Sequence, residues 1–111
     1  MATRGLIVKK FEDGFHAVYN HWDSYPEYLG KVLDENYNTD EKSTELIEAG
    51  KNGFSVTGET IEKCECYPDE DPTPVEIVST FDDVLSYSGD VDAEYVYLFN
   101  RETNKWDCTA V

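Results

Sequence analysis

The chain has 111 residues, of which 40% are hydrophobic and 14% aromatic, enough apolar material for one folded domain and too much for whole-chain disorder. Its 24 acidic residues outnumber nine basic ones, for a formal net charge of −15, which excludes direct nucleic-acid binding because phosphate contacts need clustered Lys and Arg. No apolar run approaches the ~18–20 residues of a membrane span, and no charged start leads into an apolar core, so neither a membrane segment nor a signal peptide is expected.

In chain order, Leu6 to Phe11 and Phe15 to Asn20 read as a β-hairpin around Glu12-Asp13-Gly14, since Asp-Gly is a strong turn signal. Ser24-Tyr25-Pro26 opens a helix, with Pro tolerated in the first turn where its missing N–H has no partner. Tyr25, Tyr28, Leu29, Val32, Leu33 and Tyr37 follow at helical spacing and make one apolar stripe. Gly30 in that stripe suggests a close approach by a neighbour. A second helix starts at Thr39 or Asp40, presents Leu46, Ile47 and Ala49, and stops at Gly50; its polarity places it at the surface.

Phe54 to Thr57 and Thr60 to Tyr67 have strand character around Gly58. Pro68 to Pro74 reads as a stiff acidic loop, because three prolines in seven residues exclude helix and central strand. Ser79 or Thr80 caps a third helix, with Phe81, Val84 and Leu85 inward and Asp82 and Asp83 suiting the positive end of the helix dipole. Glu94 to Phe99 and Trp106 to Val111 form a closing hairpin, the first of these runs being aromatic and β-branched. These elements predict a single α+β domain over 1–111. The expected architecture is an antiparallel sheet of four to six strands, with two or three helices on one face, in the order β-β-α-α-β-α-β-β.

Charge is unevenly distributed. From Cys64 to Asn100 there is no Lys or Arg, while Glu65, Asp69, Glu70, Asp71, Glu76, Asp82, Asp83, Asp90, Asp92 and Glu94 all fall there. Such a run serves solubility or forms an anionic face for a partner.

His21-Trp22-Asp23, with Arg4 as a possible neighbour, is the second candidate site, since a His beside an Asp can work as an acid–base pair. The structural alternative is stronger: Asp23 caps the helix start, His21 bonds the turn and Trp22 packs. Cys64, Cys66 and Cys108 are odd in number and read as free thiols; their spacing lacks the second ligand module of a structural zinc site. Tyr95, Tyr97 and Phe99 alternate on one strand face. Base stacking there would need positive charge nearby, so they are read as core. No phosphate loop, nucleophile elbow or calcium loop is present, and no cofactor or metal is expected.

Thr3-Arg4-Gly5-Leu6-Ile7, Tyr19-Asn20-His21-Trp22-Asp23-Ser24-Tyr25-Pro26, Gly30-Lys31, and Tyr95 to Phe99 with Trp106 together resemble a family of small proteins of tailed phages, prophages and other mobile elements. Its most specific mark is His-Trp-Asp-Gly-Tyr-Pro, and Ser24 stands where the family has Gly. Lys51-Asn52-Gly53-Phe54-Ser55 departs from the family's Gly-Asp-(Leu/Ile)-Ser. The resemblance implies a phage or mobile-element origin and carries over no catalytic residue.

Three functional expectations follow. The first is an acidic binding protein of the host cytoplasm, a DNA mimic that inhibits a basic, nucleic-acid-binding or defence protein of the host. The second is a small enzyme or ligand-binding module centred on His21, Trp22 and Asp23. The third is a structural or virion-associated component. Mutual repulsion favours a monomer or dimer in any of these roles.

Overall fold

A computed structural model of the chain describes residues 3–20, 24–49, 54–55, 65–66 and 76–111. Strands β1 (Gly5–Phe11) and β2 (Gly14–Asn20) form the expected hairpin, with Phe11 opposite Gly14 and Gly5 opposite Asn20. Glu12 and Asp13 make the turn. Gly14 has φ +133°, a conformation that disfavours a side chain, and a Cβ there would meet Val78 O at 2.5 Å.

Pro26–Gly30 forms a π-helical turn that runs directly into α1 (Lys31–Asn36). Helix α2 (Asp40–Ala49) follows, its first turn capped by Thr39, whose Oγ1 accepts from Lys42 N–H at 3.1 Å. Two short strands, β3 (Phe54–Ser55) and β4 (Glu65–Cys66), pair with each other, and β5 (Glu76–Val78) leads into α3 (Phe81–Asp90). Strands β6 (Tyr95–Asn100) and β7 (Lys105–Ala110) close the chain as the second hairpin.

The α+β class stands, and the order of elements roughly follows the expectation, with three strands between the second and third helices where one was expected. The sheet differs from the expected antiparallel sheet of four to six strands. It is mixed, with seven strands on the path β4-β3-β2-β1-β6-β7 and β5 pairing with β2 beside β3. At its centre β1 and β6 run parallel, Gly5 beside Tyr95 and Ile7 beside Tyr97. A parallel pair cannot be closed by a hairpin, and here nearly the whole chain lies between the partners.

The helices also cover both faces, not one. Alternation along the strands sends Ile7, Val18, Tyr97, Phe99 and Trp106 to the face covered by Leu29, Leu33, Tyr37, Leu46 and Ile47 of α1, α2 and the turn before α1. It sends Leu6, Val8, Ala17 and Val96 to the face covered by α3 through Val84. Strand β1 is consequently buried from Gly5 to Lys9, which explains its unbroken apolar run Leu6-Ile7-Val8. The second helix lies at the surface as expected, with Asp40, Glu41, Lys42, Glu45 and Glu48 exposed, and buries Leu46 and Ile47 in the core.

Trp106 ties α1 to the sheet edge. Its indole N–H donates to Tyr37 O at 3.0 Å and its main-chain N–H to Asp34 Oδ1 at 2.9 Å, while its ring packs edge-on against Phe99.

Candidate functional site

Helix α3 carries Asp82, Asp83 and Asp90 of the acidic run. Thr80 caps it, Oγ1 accepting from Asp83 N–H at 3.1 Å, and Val84 is fully buried. Phe81 and Leu85 pack beside Val84, and Ser88 is buried with its hydroxyl bonded to Leu85 O. Those anchors turn Asp82, Asp83 and Asp90 to solvent. Asp83 and Asp90 are seven residues apart, two turns, so they lie on one line of the helix about 10 Å apart along its axis.

Asp92 follows in a left-handed conformation (φ 57°), its carboxylate 3.4 Å from the Arg4 guanidinium. The exposed Glu94 is fixed at the entry to β6 by donating its N–H to Arg4 O at 2.8 Å. Arg4 and Asp92 also bear on the Tyr19 phenol, whose pKa is pushed up first by burial.

The remaining members of the predicted acidic face are placed only in part. Glu65 sits in β4 at one edge of the sheet and Glu76 opposite Ala17 in β5; Asp69, Glu70 and Asp71 lie outside the described residues. Carboxylates also cover the opposite layer, where Glu27, Asp34, Glu35, Glu41, Glu45 and Glu48 are exposed. Among the described residues, exposed carboxylates therefore lie on both outer layers.

Of the second predicted site, His21, Trp22 and Asp23 lie outside the described residues, and Arg4 is engaged by Asp92. The residues on either side are tightly held. Asn20 Nδ2 donates to Ser24 Oγ at 2.7 Å, Ser24 N–H donates to Thr3 O at 2.9 Å, and the Tyr97 hydroxyl donates to Ser24 O at 2.5 Å. Asn20, Ser24 and Tyr97 are all buried. Tyr95, Tyr97 and Phe99 belong to the core, as their alternation suggested.

Sequence reasoning missed a cluster around Lys9. This residue shares strand parity with Ile7 and Phe11, so its side chain enters the core, where it is completely buried. Its ammonium donates to Asp40 O and Thr44 Oγ1, each at 2.6 Å, and pairs with Asp40 Oδ1 at 2.8 Å. The rings of Phe11 and Phe99 flank it at 5.4 and 5.3 Å. Arg101 shares Asp40 Oδ1 at 3.1 Å. Above them an open groove of about 700 Å³ is lined by Phe11, Glu12, Asp13, Asp40, Thr44 and Arg101. At its rim His16 Nε2 meets Asp13 Oδ1 at 2.7 Å, a contact that holds the Asp13 carboxyl below the usual range. Three oxygens satisfy the three donors of Lys9, so it acts as a structural tie and not as a nucleophile. Its inward parity was the available sequence signal.

Cys66 and Cys108 do not converge. Cys66 is in β4 and Cys108 in β7, the two ends of the strand path, so about five inter-strand steps, or ~24 Å, separate their main chains. Partial burial beside Tyr97 pushes the Cys108 thiol up, and burial pushes the Tyr97 phenol up in turn. Cys64 lies outside the described residues. Among the described residues no group of three His, Cys, Asp or Glu side chains could hold a metal ion, and no helix is long and apolar enough to cross a membrane.

Compared with protein-family models, curated proteins and solved structures, the chain matches none.

Proposed function

We propose that the protein is an acidic binding protein of phage or mobile-element origin that docks to a basic host protein and displaces nucleic acid from it. The observation that carries this reading is the α3 layer. A helix pinned through Phe81, Val84, Leu85 and Ser88 holds Asp82, Asp83 and Asp90 outward, with Asp92 and Glu94 beyond it. The run from Cys64 to Asn100 that contains them has no Lys or Arg. Carboxylates fixed on a packed helix can replace phosphates as acceptors for Arg and Lys, and little ordering entropy is lost when they bind. The carboxylates of α1 and α2 extend the field around the molecule, which raises the rate of encounter with a cationic partner. The cytoplasm of the host cell is the compartment where such partners work.

The test is capture from host lysate on the immobilised chain at low salt. The expected result is a retained nucleic-acid-binding protein that elutes as salt is raised and loses labelled DNA when free chain is added. Changing Asp82, Asp83 and Asp90 together to Lys should weaken that capture by about tenfold or more, the scale of a few close charge contacts. A lysate that yields no nucleic-acid-binding protein, or capture indifferent to the triple reversal, overturns the reading.

A further inference from the structure

The hydrogen-bond parity of β7 is fixed at its two ends. Val111 N–H donates inward to Glu94 O at 2.9 Å, whereas Trp106 N–H leaves the sheet for Asp34 Oδ1 at 2.9 Å. Inward and outward residues alternate along an antiparallel ladder. Trp106, Cys108 and Ala110 therefore turn their main-chain N–H and C=O groups away from β6. Asp34, delivered by α1, occupies the first of these donors. The next two, on Cys108 and Ala110, lie in the run 107–111, every residue of which is exposed. The side chains of Cys108, Thr109 and Ala110 are small and leave the edge accessible. The two faces of the sheet are covered by helices, but among the described residues nothing pairs with this half of its last strand.

An open edge is a template for another strand, and main-chain bonds supply the hold in such complexes. Two copies of this chain, each at −15, repel one another, which disfavours self-pairing. Carboxylates border the open stretch: Asp34 at Trp106, Asp107 within β7 and Glu94 opposite Val111, with Glu27 near enough to bear on the Tyr97 phenol. We infer that the open half of β7, from Cys108 to Ala110, accepts an extended basic segment of the partner as an added strand. This rests on the acidic-binding reading above and gives it a second point of contact with a defined geometry.

The experiment uses the full chain and a fluorescein-labelled synthetic peptide of alternating lysine and valine as the probe. Saturable binding is expected at low salt, and amide exchange at Cys108 and Ala110 should slow by about tenfold or more on peptide addition, while the Trp106 amide is unchanged. Ala110→Pro removes an outward N–H and no ladder bond, so the fold tolerates it while peptide binding weakens by about tenfold or more. If that variant does not fold, the exchange measurement on the parent chain decides alone.

Binding that leaves both amides unprotected overturns the inference, as does complete absence of binding. Binding that survives Ala110→Pro but is lost with Lys at 82, 83 and 90 places the contact on α3; the proposed function then stands and the edge inference falls. Protection that grows with protein concentration without peptide assigns the edge to a second copy and also overturns it. Peptide protection at both amides, with no host nucleic-acid-binding protein captured, supports the edge as a strand acceptor and removes the host target.

Discussion

The Lys9 ammonium, completely buried, lies 2.8 Å from an Asp40 carboxylate whose side chain is 71% exposed. The pair joins the central strand to the first turn of α2. A buried cation is costly unless hydrogen-bonded, and here the Asp40 carbonyl and the Thr44 hydroxyl complete its shell. The Asp40 carboxyl is held below the usual carboxylate range, first by the hydrogen bond from Lys9 and then by its charge, with Arg101 adding to both.

Acid should therefore loosen this tie. A carboxyl whose pKa is depressed by folding contributes stability that is present above its unfolded value, about pH 4, and is lost as pH falls through its folded value. Thermal melts from pH 7 to pH 2 are expected to show a steep fall in Tm below about pH 4. Asp40→Asn should flatten part of that fall, leaving the share of Asp13, whose carboxyl is depressed by His16. An unchanged acid limb in Asp40→Asn would show that the tie contributes nothing.

The same pair separates charge from packing. Lys9→Met keeps the side-chain length and leaves Asp40 hydrated, so its cost is expected at no more than about 1.5 kcal/mol. Lys9→Ala also empties space between Phe11 and Phe99 and should cost about 2–4 kcal/mol. Urea denaturation of the two variants checks the order; equal losses would put the whole effect on the ammonium.

Gly5 and Ser24 fit against each other so closely that a Cβ on Gly5 would stand 2.7 Å from Ser24 Cβ and 3.2 Å from Tyr95 O. Gly5→Ala is expected to destabilise by about 1–3 kcal/mol through overpacking. Ser24→Gly removes the buried hydroxyl that accepts from Asn20 Nδ2 at 2.7 Å and donates to Asn20 O at 3.2 Å, at a cost of about 1–2 kcal/mol. Together the two changes should cost less than the sum of the singles, because the glycine relieves the closer clash. Strict additivity would mean that Tyr95 O sets the penalty.

The features legible in the sequence were local ones. Asp13-Gly14 marked the first hairpin, Thr80 the third helix, and the run from Tyr95 to Phe99 the strand that fills the core. What escaped depended on long-range pairing. Gly5 meets Tyr95 across the centre of the sheet, and no periodicity in either segment names the other. That parallel pair, with the parallel contact of β2 and β3 at Asn20 and Phe54, makes the sheet mixed, and the buried central strands take cover on a second face from α3. The inward parity of Lys9 was readable, but its partners were not, for a related reason: Asp40 and Thr44 are brought to it only when α2 packs on β1. For the acidic site, Asp82 and Asp83 were legible as the first turn of a helix with Phe81, Val84 and Leu85 inward, whereas Asp90 joins them only because α3 runs on to that residue. That carboxylates cover both faces depended on where α1 and α2 pack, which the charge run from Cys64 to Asn100 did not encode.

Gly30 shows how a plausible sequence argument meets geometry. Its place in the apolar stripe suggested room made for a neighbour, and the Tyr97 ring is indeed the nearest group. A Cβ at Gly30 would lie 3.4 Å from Tyr97 Cε1 and 3.7 Å from Pro26 Cβ, both ordinary contacts. Its backbone, at φ −57° and ψ −43°, is helical. Neither space nor conformation requires glycine, whose freedom in the unfolded chain is lost on folding. Gly30→Ala is therefore expected to stabilise the protein by about 0.5–1 kcal/mol, the opposite sign to Gly5→Ala. Paired urea titrations of the two variants check this. A loss at position 30 would show that the π-helical turn at Pro26–Gly30 needs a backbone freedom that its resting dihedral angles do not reveal.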